Sequence, residues 1–203
     1  LEYDVEVPRD MVVSAWSYMH RHYANDLVEE MLRNDCCWET VTFLNYVLSN
    51  YPDGSWTGGL FKPEDRKRML DHSFNHWKQH SPLLKGYLAL TLERAGRSDD
   101  ARLVFDSVMD SARTDRDLGT YWAPEDRAWL WYNDTIETHA FALRTLSELE
   151  PDDGRRHGLV HWLLLNKKLN HWKSTRATAE VLYSLAHYLT QEDALAVREE
   201  IHV

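Results

Sequence analysis

The sequence has little of what would make a chemistry obvious. Two cysteines occur in 203 residues, and they are neighbours, Cys36 and Cys37. Adjacent thiols on one helical turn cannot reach ordinary disulfide geometry, which excludes a disulfide framework. The compartment stays open, because an oxidising one permits disulfides without requiring them. Eight glycines and six prolines are spread so that no Gly/Ser/Pro-rich stretch or low-complexity run divides the chain. A single domain over residues 1–203 is therefore expected. No apolar run approaches the roughly 20 residues that span a bilayer, so direct membrane insertion of a helix is not expected. Phosphate loops, nucleophile elbows and dinucleotide fingerprints are also missing. Lysine and arginine total 23 against 33 acids, a net charge of −10. That balance argues against nucleic acid or an anionic membrane as the main partner, since both need clustered cations. The chain opens on Leu1 without a charged-then-apolar leader. It reads as a piece of a longer polypeptide, so the missing leader does not locate the parent protein.

Apolar residues, by contrast, make up 43% of the chain, enough for a substantial core. Nine tryptophans and ten tyrosines stand out. Such rings fill the wide spaces between splayed helices, and their polar tips need hydrogen-bond partners.

Three segments align without gaps: residues 81–92, 135–146 and 174–185. Each opens with a hydroxyl residue (Ser81, Thr135, Ser174), has a small residue at the sixth position (Gly86, Ala140, Ala179), and ends on a hydroxyl and a leucine (Thr91-Leu92, Thr145-Leu146, Ser184-Leu185). The pattern predicts helices capped by the leading hydroxyl, with another backbone close to the small residue. A polar break follows each, before a second helical stretch, so the expected unit is a helix pair. The fold class expected is all-α, with antiparallel helix pairs in an open solenoid or closed into an alpha-alpha toroid.

Upstream, residues 1–7 alternate and read as an extended lead-in. A long helix is expected from Asp10, its cap, to about Arg33. Another should start at Asp35, turning Thr40, Phe43, Leu44, Val47 and Leu48 inward. Residues 53–59, centred on Trp56, suggest a structured loop tucked under the helices. A helix led by Pro63 should run to about His80. Residues 114–133 form an aromatic-rich insertion expected to fold over one end of the array.

No constellation yields a clear reaction. Cys37-Trp38-Glu39-Thr40 has the spacing of a Cys-x-Glu-Gln thioester motif, but Thr40 has no carboxamide to link to sulfur; the thiols read as small buried apolar groups. His72, His76 and His80 share i, i+4 spacing, as do His157 and His161, yet no acid or thiol ligand lies on the same stripe. Glu125, Asp126, Asp134 and Glu137 stand near the tryptophan cluster, as a glycosidase pair would, but Glu125 and Asp126 also suit a first helical turn after Pro124. Asp99 and Asp100 read as a helix start. Lys167, Lys168, Lys173 and Arg176, near Trp162 and Trp172, read as a solvated helix end. No catalytic residue, metal or other cofactor is expected.

Three stretches together resemble a known family: residues 122–144 (Trp-Ala-Pro-Glu-Asp-Arg-Ala-Trp-Leu-Trp-Tyr-Asn-Asp-Thr-Ile-Glu-Thr-His-Ala-Phe-Ala-Leu-Arg), residues 163–168 (Leu-Leu-Leu-Asn-Lys-Lys) and residues 172–183 (Trp-Lys-Ser-Thr-Arg-Ala-Thr-Ala-Glu-Val-Leu-Tyr). Their order is similar to the later part of the thioester-containing domain in bacterial alpha-2-macroglobulin-like proteins, firmest over residues 81–188. The loop at residues 53–56 also looks like turns of related alpha-alpha toroids, terpene cyclases included. The resemblance implies an alpha-alpha toroid within a periplasmic or extracellular, envelope-associated protease trap. In such proteins cleavage of a bait segment triggers rearrangement, and a thioester captures the attacker. Cys-x-Glu-Gln is absent here, so the reactive bond lies upstream of Leu1 or has been lost. The partners implied are neighbouring domains and, through the parent protein, target proteases. Trp122, Trp129, Trp131, Tyr132 and Trp172 become candidates for thioester lining or interdomain contact, or else ordinary inter-helix filling. Two other functions stay open: a toroid enzyme acting on carbohydrate or polyprenyl substrates, and a helical-repeat scaffold that binds another protein.

Overall fold

A computed structural model describes residues 7–52, 54–122, 130–131 and 134–194. The expected lead-in at residues 1–6 lies outside them, as do most of residues 123–133 and the stretch expected to pair with the last helix. The long N-terminal helix is present, wound in three parts: α1 (Arg9–Met19), a π-helical segment (His20–Val28) and α2 (Glu29–Arg33). Its cap position is Pro8, without a side-chain cap bond, and Asp10 sits inside the first turn, where its charge suits the dipole.

α3 (Trp38–Ser49) buries Val41, Leu44, Asn45 and Leu48, whereas Phe43, expected inward, is 41% exposed. In the loop that follows, Thr57 and Phe61 are buried, while Trp56 lies half-buried beneath the Arg9 guanidinium. α4 (Pro63–Asn75) starts as predicted, with proline and two acids in its first turn, and a 3-10 turn (Trp77–Gln79) follows it.

The three aligned segments are all helices: α5 (Pro82–Arg94), α7 (Thr135–Leu149) and α9 (Thr175–Gln191). Ser81 and Ser174 cap theirs through Oγ, accepting the N–H of Leu84 and Ala177. In α7, however, Asp134 caps, accepting the Glu137 N–H, because a carboxylate one residue earlier reaches the free amides as well as a hydroxyl does. Gly86 does make room for a close neighbour, but the neighbour is a side chain where a backbone was expected: a Cβ there would lie 2.8 Å from the Phe141 ring. Ala140 is buried, but Ala179 faces solvent; Ala177, two residues earlier, is buried instead.

Short turns fold α6 (Ser98–Met109) back along α5 and α8 (Arg155–Leu165) along α7. The helices α3, α5, α7 and α9 touch in succession, and α4, α6 and α8 form a second layer against α3, α5 and α7. The largest core cluster lies between the layers, among Leu88, Leu92, Val104, Phe105, Leu143, Leu146, Leu159 and Leu163.

The insertion brings a feature not anticipated: a hairpin of β1 (Arg113–Asp115) and β2 (Gly119–Tyr121), in register Thr114 to Thr120. Asp115 Oδ1 accepts the N–H groups of Asp117 and Leu118, and Gly119 supplies the positive φ that closes the turn. β2 lies directly on α8, where Gly158 faces Thr120.

Candidate functional site

One face of the row α3, α5, α7 and α9 carries a continuous polar and aromatic seam. Tyr46 from α3 stacks on Tyr87 from α5, with centroids 4.6 Å apart, and the Phe141 ring of α7 meets both edge-on. Arg144, one turn along α7, donates to the Tyr46 hydroxyl at 2.9 Å and lies over the Tyr183 ring of α9 at 4.4 Å. Glu137, 3% exposed, accepts Arg176 Nε at 2.7 Å across the α7–α9 contact. Burial pushes the Glu137 carboxyl up, against the pull of Arg176. Burial also raises Tyr46, Tyr87 and Glu180. Glu180 is half-buried and takes no hydrogen bond or ion pair among the described residues; only the fields of Arg144 and Arg176 offset its desolvation.

Within the aligned segments these residues occupy positions three, seven and ten: Glu137 and Arg176, then Tyr87, Phe141 and Glu180, then Arg144 and Tyr183. Spacings of four and three mark one helical face. That pattern is legible in the sequence, at positions other than the small, hydroxyl and leucine ones.

The aromatic candidates separate. Trp122 is buried, donating its indole N–H to Val108 O at 2.9 Å and its backbone N–H to His139 Nε2. Trp172 is buried and donates its indole N–H to Leu163 O at 2.7 Å. Both fill space between helices, as aromatic residues with a satisfied polar tip do. Trp131 is 40% exposed, edge-on to Phe43, and its carbonyl accepts Arg176 Nη2, which places it at the rim of the seam. Trp129, Tyr132, Glu125 and Asp126 lie outside the described residues.

Asp134 and Glu137 do not form an acid pair around a cavity. Asp134 uses Oδ1 for its cap and Oδ2 for Lys173 Nζ at 2.6 Å. Lys173 and Arg176 are thereby drawn into ion pairs, leaving Lys167 and Lys168 on the exposed α8–α9 turn.

The cysteines differ from expectation. They lie in the turn between α2 and α3, with Sγ atoms 3.0 Å apart; Cys36 is half-buried and Cys37 exposed. A left-handed backbone at Cys37 brings the side chains together. The Cys37 thiol, with help from burial, pushes Cys36 up, away from the thiolate form.

Among the histidines, His157 and His161 are exposed, and His80 is buried with Nε2 2.8 Å from Thr42 Oγ1. His72 and His76 converge with Asp35, reached from the α2–α3 turn. His76 holds the Asp35 carboxyl below its usual range. Comparison with family models, curated proteins and solved structures finds no match for this chain.

Proposed function

We propose that the chain is a non-catalytic helical module of a bacterial alpha-2-macroglobulin-like protease trap, an endopeptidase inhibitor of the periplasm or cell surface. In this reading the row α3, α5, α7 and α9 is the inner layer of an alpha-alpha toroid that houses a thioester encoded upstream of Leu1. One observation carries it: the seam is filled by stacked rings and, Glu180 aside, by matched charges. Glu137 is tied to Arg176, Asp134 to Lys173, and Tyr46 to Tyr87 and Arg144. Such packing excludes water from a neighbouring acyl group and, among the described residues, ties Asp134 and Glu137 into ion pairs and does not leave them as free carboxylates for glycoside chemistry.

The test uses the native parent protein challenged with a protease. A covalent protease adduct on a denaturing gel, abolished by methylamine pretreatment, is expected; absence of the adduct overturns the reading. A second reading, a toroid enzyme acting on carbohydrate or polyprenyl substrates, draws on Glu180, a half-buried carboxyl without a partner among the described residues. Turnover of such a substrate by the purified chain, lost in Glu180→Gln, would favour it.

A further inference from the structure

We propose that Asp35, His72 and His76 bind a divalent transition-metal ion, zinc by the chemistry of the donors. One ligand atom from each residue lies within 4.8 Å of the others. Two imidazoles and a carboxylate are a zinc donor set, with a fourth position left to water.

The hydrogen bonds around the cluster already orient it. His72 is 8% exposed, and its Nε2 lies 3.2 Å from the Cys36 carbonyl oxygen. A carbonyl only accepts, so Nε2 carries the proton and Nδ1 presents a lone pair. That lone pair faces Asp35 Oδ1 at 3.5 Å. Two acceptors pointed at one another repel unless a cation stands between them. The carbonyl bond on the far nitrogen is the outer support that metal-ligating histidines use.

His76 Nε2 lies 2.8 Å from the same oxygen, and its ring is held by stacking on Trp38 at 4.5 Å. Coordination moves the His76 proton from Nε2 to Nδ1, freeing Nε2 for the metal. The Asp35 side chain is 70% exposed, so water reaches the fourth position, and a cleft of about 460 Å³ opens beside His72 between Leu32 and Asn75. The ion would tie the α2–α3 turn to the end of α4, joining residues 41 apart in sequence.

The experiment uses the full chain with Cys36→Ser and Cys37→Ser, so that thiols cannot compete. Cobalt(II) should give the visible absorption of a tetrahedral nitrogen and oxygen site at one equivalent, displaced by zinc. Zinc should raise the melting temperature. Asp35→Asn, an exposed change that leaves the core intact, and His76→Gln should each weaken zinc binding about tenfold or more and remove the thermal shift. His157→Gln with His161→Gln should leave both unchanged. Absence of saturable zinc and cobalt binding overturns the proposal. So does full affinity in Asp35→Asn and His76→Gln, or loss of binding in the His157 and His161 variant.

Discussion

His139 is wholly buried among α7, α8 and β2, stacked on Trp162 at 3.6 Å. Its Nδ1–H goes to Thr135 O and its Nε2 accepts the Trp122 N–H, so the neutral ring is fully used. Burial brings its pKa down to about 4, and burial does the same for His80. An unfolded histidine titrates near 6.5. Between pH 6.5 and 4 the unfolded chain takes up protons that the folded chain refuses, so stability falls as pH drops through that window. The loss is on the order of 3 kcal/mol for each ring by pH 4. Urea midpoints should fall between pH 7 and 4.5, and His139→Gln should flatten part of that slope; equal midpoints in the wild type would refute the assignment. Arg176→Met should cost more than Glu137→Gln, about 2 kcal/mol, because it leaves a buried carboxylate unmatched. Thermal unfolding of the two variants decides this, and equal losses would contradict it.

At the scale of elements, caps and close approaches set the geometry. Ser81→Ala and Ser174→Ala should each cost about 1 kcal/mol, and Asp134→Ala more, since it also strands Lys173. A Cβ on Gly158 would lie 2.2 Å from Thr120 Oγ1 and 2.9 Å from Thr120 N. Gly158→Ala should therefore push the hairpin off α8 at a cost of about 3 kcal/mol, read as a lower denaturation midpoint. A neutral result would mean the hairpin is not held there. The aligned helices were legible because their hydroxyl and leucine positions report capping and core burial, both local in sequence. The hairpin was not, since Arg113 to Tyr121 has polar, exposed β1 and only three residues in β2. Asp35 was invisible as a partner of His72 and His76 for a different reason. Histidine spacing marks the face of one helix only, and the carboxylate comes from the α2–α3 turn, 41 residues before His76.

For the whole molecule, the two-layer row of helices makes sense of the seam: α3, α5, α7 and α9 share it, and α4, α6 and α8 close the apolar core behind them. Among the described residues, aromatic rings fill that seam, stand as buried posts such as Trp122 and Trp172, and build an N-terminal cluster of Trp16, Tyr51 and Phe61. None of these uses requires acid–base chemistry, and the proposed thioester lies outside these residues. Release of thiol from the native parent protein tests this most directly, after alkylation of Cys36, Cys37 and any other accessible cysteine. Methylamine should then free one new thiol per chain, and Tyr87→Ala, which opens the seam, should speed its spontaneous release in buffer. If methylamine frees no thiol, no thioester is housed here and the account is contradicted.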